Sequence, residues 1–253
     1  MDCRRIFVAV CVALANVSPA RATPESVPRF TEVSAAAGVT VDHGAVPEDL
    51  DTVATGVAAG DVDRDGWIDL YVIGGSTTKQ HLFRNLGDGT FSPVPSAGGA
   101  ELTGENVWGP SFADIDGDGD LDLFVGGPDR AGPALFRNDG RGSFVEIGRA
   151  AAMFPRGTYV SASFADYDRD GDLDLLTTHW FLLRARGDVA HLWRNDGAGR
   201  FVAVPESESG LVIKVERTDF GEVAWTFTGN FADIDGDGLE DLLLASDFRT
   251  SQV

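Results

Sequence analysis

The sequence predicts an all-β protein, a β-propeller built from repeated blades. Three observations carry this prediction. An acidic nine-residue loop occurs four times, strand-length apolar runs flank each copy, and no stretch sustains the 3.6-residue period of an amphipathic helix. Units repeated in this way each expose an apolar face that is buried only against the next unit.

Each unit opens with an aromatic residue followed three positions later by a β-branched one. The openings are Phe30-Thr-Glu-Val33, Phe91-Ser-Pro-Val94, Phe144-Val-Glu-Ile147 and Phe201-Val-Ala-Val204. They recur at intervals of 61, 53 and 57 residues. A parallel β-helix would repeat over roughly 20 residues, so these intervals favour blades. A small-residue strand then leads into the loop: Gly56 to Gly60, Ser111 to Ala113, Ser163 to Ala165 and Asn230 to Ala232. An apolar strand follows the loop: Leu70 to Ile73, Leu121 to Val125, Leu173 to Leu176 and Leu242 to Leu244. A third strand and tight turn close the first three units, at Leu82-Phe-Arg-Asn85, Leu135-Phe-Arg-Asn138 and Leu192-Trp-Arg-Asn195. The Asp-Gly and Asn-Asp-Gly sequences after them supply the positive φ of short hairpins. The expected units are 30–90, 91–143, 144–200 and 201–253, about four blades.

The loop itself has the chemistry of a hard-cation site. Carboxylates stand at positions 1, 3, 5 and 9: Asp61, Asp63, Asp65 and Asp69; Asp114, Asp116, Asp118 and Asp122; Asp166, Asp168, Asp170 and Asp174; Asp233, Asp235, Asp237 and Asp241. Glycine at position 6 lets the chain turn sharply enough to close a ring. Position 7 (Trp67, Asp120, Asp172 and Leu239) would add a backbone carbonyl. Four such carboxylates repel one another, and a cation removes that cost. An all-oxygen set of this size suits Ca2+, with six to eight ligands, better than Mg2+. With no Cys or His at ligand spacing, zinc and iron are poor candidates. The expectation is up to four structural Ca2+ ions. An EF-hand would need Glu at position 12, but that position holds Val72, Val125, Thr177 and Leu244, within β-like sequence.

The formal net charge of −20 follows largely from these loops, which place sixteen of the 40 acidic residues at positions 1, 3, 5 and 9. A chain this acidic, with no basic cluster beyond Arg4-Arg5, is no partner for nucleic acid. Residues 1–22 read as a secretory signal peptide: Arg4-Arg5, an apolar run from Ile6 to Ala15, and the cleavage site Ala20-Arg21-Ala22. Cleavage after Ala22 would also remove both cysteines, Cys3 and Cys11. Residues 23–29 form a short leader. The expected location is secreted, periplasmic or cell-surface, with no membrane span after signal cleavage.

The succession of small-residue strand, D-x-D-x-D-G-x-x-D loop, apolar strand and L-F-R-N-x-G-D-G turn resembles the FG-GAP/VCBS repeat of integrin-α-like propellers. Across Phe30 to Val253 it is most similar to bacterial relatives of cartilage acidic proteins, which carry a C-terminal UnbV-type domain. The resemblance implies a seven-bladed propeller when complete, one calcium per loop-bearing blade, and an extracellular role in binding or adhesion. Because residue 253 falls where the fourth Leu-Phe-Arg-Asn strand should begin, the chain is expected to be a fragment of a longer protein. The expected partner is an extracellular protein or glycan. The variable segments Ala97 to Val107 and Glu206 to Val223 are the expected ligand-facing loops.

The alternative is a calcium-dependent polysaccharide lyase or other glycan-active enzyme. It would need a base and cations in a cleft, and Lys79 and Lys214 are the lysines at hand. No nucleophile elbow, zinc-protease, P-loop or dinucleotide motif is present. His81 and His191 occupy equivalent repeat positions and are read as packing residues. His179-Trp180 is either packing or binding surface, and Trp108 and Trp225 are read as blade core. Arg186-Gly187-Asp188 lies in an insertion of the third unit and is read as a chance tripeptide.

Overall fold

The computed structural model describes residues 29–44, 55–75, 78–127, 132–149, 153–155, 157–179, 190–211, 216–218, 221–223, 226–246 and 251. The signal sequence, Trp180, Arg186-Gly187-Asp188, Lys214 and Trp225 lie outside the described residues.

The chain folds as a succession of antiparallel sheets. The first contains β1 (Val57–Gly60), β2 (Asp69–Val72), β3 (His81–Asn85) and β4 (Phe91–Val94), in that order across the sheet. The second repeats the pattern with β5 (Trp108–Ala113), β6 (Asp122–Gly126), β7 (Ala134–Asn138) and β8 (Phe144–Glu146). The third does so with β9 (Tyr159–Ala165), β10 (Asp174–His179), β11 (His191–Asn195) and β12 (Phe201–Ala203). A two-stranded hairpin, β13 (Glu216–Thr218) and β14 (Gly221–Val223), precedes the last pair, β15 (Thr226–Ala232) and β16 (Asp241–Ser246). The leading strands β1, β5, β9 and β15 lie side by side in succession. This is the blade-like array of a propeller, with no closed sheet among the described residues.

The second strand of each of the first three sheets is covered on both of its faces. Every residue of β2, β6 and β10 is buried. Alternate faces of one strand feed different cores. Tyr71 of β2 and Ile73 just after it pack with Leu123, Val125 and Phe136 of the second sheet. Phe124 and Leu135 of the second sheet pack on the other side with Leu175, Trp193 and Phe201 of the third. The cores thus lie between sheets, and each sheet depends on its neighbours.

Three of the four Phe-x-x-Val openings begin strands, but in a different phase from the sequence units. Phe91–Val94 pairs with His81–Asn85, and Phe144 and Phe201 likewise begin the fourth strand of the preceding sheet. These three phenylalanines are 7%, 4% and 4% exposed, whereas Phe30, in no strand, is 72% exposed. After it comes a single helical turn, α1 (Ser34–Ala37), which ends at Gly38 in the left-handed region. Ala37 and Val39 pack on Leu70, Val72, Phe83 and Phe91, which covers the outer face of the first sheet. Three alanines favour that turn, but one turn is too short to leave a period in the sequence.

The variable segment Ala97 to Val107 is no free loop. Ala97, Ala100 and Val107 are buried in the core between the first two sheets. The Tyr71 hydroxyl donates to the Ala100 carbonyl at 2.7 Å, and Gln80 N–H to Glu101 O at 2.8 Å. Only Gly99, Thr103 and Gly104 of that segment are exposed. Trp108 is buried, as a blade-core residue should be. His179 is also buried, against Tyr159 and the Thr177 hydroxyl, and His81 stacks on Phe83. Among the described residues no helix is long and apolar enough to cross a membrane.

Cores built between sheets make their side chains costly to truncate. Phe124→Ala should lower the unfolding free energy by about 3–5 kcal/mol. Val145→Ala, at a side chain 67% exposed, should change it by under about 0.5 kcal/mol. Urea unfolding of the two variants checks both values.

Candidate metal centres

Each acidic loop is a compact ring closed by its own backbone. The position 1 carboxylate accepts from the position 6 glycine N–H in all four: Gly66 to Asp61 at 2.9 Å, Gly119 to Asp114 at 2.9 Å, Gly171 to Asp166 at 3.1 Å and Gly238 to Asp233 at 2.9 Å. These glycines have φ of 82–100°, which only glycine adopts without strain. Position 5 makes a local turn instead. Asp65, Asp118, Asp170 and Asp237 each accept from the N–H two residues on, at 2.7–3.0 Å.

The residues drawn together are therefore those at positions 1, 3 and 9. Asp61, Asp63 and Asp69 bring oxygens within 4.8 Å of one another, and so do Asp114, Asp116 and Asp122. The same holds for Asp166, Asp168 and Asp174, and for Asp233, Asp235 and Asp241. Each of these groups could hold a metal ion. The position 5 aspartates are not in these groups. The position 7 side chains turn toward the hairpin after the third strand. Trp67 lies against Gly87, Asp120 against Gly140 and Asp172 against Gly197, so closely that a Cβ there would collide.

Position 9 opens the second strand and is the most enclosed of the carboxylates. Asp69, Asp122 and Asp174 are buried. Their Oδ2 atoms accept from the position 2 N–H of Val62, Ile115 and Tyr167, at 3.1–3.3 Å. Their Oδ1 atoms accept from the N–H of Asn85, Asn138 and Asn195, at 2.8–2.9 Å. Burial pushes all three up to about 6, the carboxylates at positions 3 and 5 add to the rise, and the two N–H donors resist it.

Two residue types that the ligand reading passed over complete the centre. The arginine of Leu-Phe/Trp-Arg-Asn pairs with the position 3 aspartate of its own loop: Arg84 with Asp63, Arg137 with Asp116 at 2.8 Å and Arg194 with Asp168 at 2.9 Å. The asparagine ties the loop to strand and neighbour. Asn85, Asn138 and Asn195 each donate through Nδ2 to the position 8 carbonyl at 3.0 Å. Asn138 also donates to Val62 O at 2.7 Å and Asn195 to Ile115 O at 2.8 Å, each in the loop of the preceding sheet. The signal for both was their fixed place in a motif that recurs in step with the loop.

Position 4 is left-handed in every copy, with φ of 59° at Arg64, 71° at Gly117, 64° at Arg169 and 78° at Gly236. Arg64 uses that geometry to reach the second loop. It pairs with Asp120 at 2.5 Å and donates to Asp118 O at 2.7 Å.

The donor set fits a hard cation. It is entirely carboxylate, and Asp114 Oδ1, Asp116 Oδ1 and Asp166 Oδ1 are buried without a hydrogen-bond partner. Buried acceptors left in that state are costly unless a ligand takes them up. Loops two and three carry these oxygens. In loop four Asp233 Oδ1 accepts from Gly236 N–H at 2.7 Å, and its carboxylates are the most exposed.

Comparison with known proteins supports the repeat. Residues 61–125 and 116–177 each match the FG-GAP-like repeat. Cartilage acidic protein 1 of Xenopus tropicalis is 26% identical over 200 residues, which is 77% of this chain and 29% of that protein. Its Homo sapiens counterpart is 28% identical over 170 residues, 65% of this chain and 24% of that protein. The chain thus spans less than a third of the curated relatives it matches. Among solved structures, an Agrocybe aegerita lectin described as recognising non-reducing terminal N-acetylglucosamine aligns over 74% of this chain and 45% of its own. That alignment has a TM-score of 0.42 at 24% identity.

Two outcomes follow from the buried groups. Asp69, Asp122 and Asp174 titrate above the ordinary carboxylate value, so the folded chain holds more protons than the unfolded one between about pH 4 and 6. In chelator, stability should therefore fall as pH rises through that window, while cation affinity rises. Thermal melts at pH 4.5 and 7 with and without divalent cation read both trends. Asn138→Ala should cost about 1–3 kcal/mol, because it strips Val62 O and Leu121 O of a donor. Asn85→Ala, which loses one donated bond to Ile68 O in a more exposed setting and the Gly87 N–H bond to its Oδ1, should cost less in the same denaturant assay.

Proposed function

From this protein of FG-GAP-like repeats, we propose an exported calcium-binding propeller whose blades form an extracellular module for binding protein or carbohydrate. The observation that carries the reading is the recurrence of one carboxylate triad in all four loops. Its oxygens converge from positions 1, 3 and 9, and in loops two and three some are buried without partners.

Calcium would be held by those three carboxylates, with position 7 carbonyls (Trp67, Asp120, Asp172 and Leu239) completing the oxygen shell. Asp65, Asp118, Asp170 and Asp237 shape the turn and add negative charge. The ion supplies positive charge where three acids meet, which relieves their repulsion. The residues of the chain do the remainder. Position 9 fixes the loop to its sheet, the arginine orients position 3, and the asparagine joins one loop to the next sheet. The role is structural, and it leaves the sheet surfaces to carry recognition. The proposed route to the outside is the segment 1–22, cleaved after Ala22.

Calcium titration with calorimetric and thermal readouts tests the proposal. At a hundredfold excess over Kd each filled site adds about 2.7 kcal/mol. Tm should then rise by roughly 5–10 °C per site. Asp114→Asn in the more enclosed second loop should remove more of this gain than Asp233→Asn in the more exposed fourth. An equal Tm in chelator and in millimolar calcium would sink the proposal.

A further inference from the structure

A cleft of about 370 Å³ opens between the first sheet and the turn that joins β7 to β8. Its floor is apolar, formed by Val62, Leu82, Leu86 and Val94, and Arg84 and Arg141 stand at its lips. The volume is at the small end of the range for small-molecule sites.

The next interface differs at the corresponding residues. There Arg137, the counterpart of Arg84, pairs with Asp116 and donates through Nη2 to Ala198 O at 3.0 Å, across to the following sheet. Ala198 holds the place in Asn195-Asp-Gly-Ala-Gly199 that Arg141 holds in Asn138-Asp-Gly-Arg-Gly142. In the first interface Arg141 stands in the place of that alanine, and its side chain lines the cleft together with Arg84. Like charges there oppose the closure. Asp63 and Asp69 line the inner end, but Asp63 is paired with Arg84, and Asp69 accepts from Val62 and Asn85 N–H. Arg141 is exposed and pairs with no carboxylate among the described residues.

We propose that this cleft binds a small organic carboxylate, its anionic group between Arg84 and Arg141 and its apolar body on Val62, Leu82, Leu86 and Val94. Guanidinium forks match a carboxylate in geometry and charge. An otherwise strongly acidic surface would repel such a ligand elsewhere. The site goes beyond the cation reading and does not require it.

Calorimetric titration of benzoate, with benzyl alcohol as its neutral counterpart, tests the site in chelator and again in calcium. Benzoate should bind, and benzyl alcohol should bind about tenfold more weakly or less. Arg141→Ala copies the next interface, so Arg84 can close the cleft, and benzoate affinity should drop about tenfold or more. Arg141→Gln keeps most of the side-chain bulk and should lose affinity similarly, with an unchanged Tm. Equal binding of the two probes, no benzoate binding, or unchanged affinity in both Arg141 variants would overturn the assignment. A failure of calcium to raise Tm leaves the chelator arm intact, so the two readings stand or fall separately.

Discussion

The structure depends on a buried aspartate at the ninth position of each of the first three loops. In the first three sheets its two oxygens take N–H groups from both sides of the hairpin: the loop entrance at Val62, Ile115 or Tyr167, and the end of the third strand at Asn85, Asn138 or Asn195. A neutral side chain could not satisfy two buried donors so well, since hydrogen bonds to a charged acceptor are roughly twice as strong. Yet burial disfavours that charge, and its acidic neighbours disfavour it further. The side chain that organises the sheet is thus the one most in need of a counter-charge. The coupling of fold to ion arises from that opposition.

Much of this was legible in the sequence, and the rest was hidden for identifiable reasons. Spacing alone places four rings of acids between strands, because the turn at Gly66 and its counterparts is a local event. Strand character shows in Leu70–Ile73 and Leu121–Val125, where both faces are apolar. The phase of the sheets was not legible. Phe91 looks like the head of a unit, and only pairing with Asn85 reveals it as the last strand of the sheet before. The position 5 aspartates look equivalent to the others, yet their carboxylates turn back onto the local backbone. That choice depends on backbone geometry that composition does not record. Asn138 and Asn195 read as turn residues, and they are, but their amides also span about 80 residues of sequence. Contacts of such range leave no local trace.

The repeats are regular where the backbone needs them to be and variable where it does not. Position 4 requires positive φ, which two glycines meet without strain and two arginines at some cost. In return Arg64 reaches the carbonyl of Asp118 in the neighbouring loop. The first interface also differs from the second, where Arg137 donates to the carbonyl of Ala198, in the place that Arg141 takes in the sheet before. Similar sheets therefore meet through different surfaces.

The reach of Asn138 and Asn195 toward the preceding loop has a consequence for how the protein is made. Each link joins a residue late in one sheet to a carbonyl some 80 residues upstream. At a synthesis rate of 5–20 residues per second, successive sheets leave the ribosome roughly 3–12 s apart. That interval far exceeds the time a hairpin takes to form. A finished sheet waits with one loop carbonyl exposed, and its cap arrives with the next to emerge. Translation order and contact order coincide, so the nascent chain is sealed in the direction in which it is made.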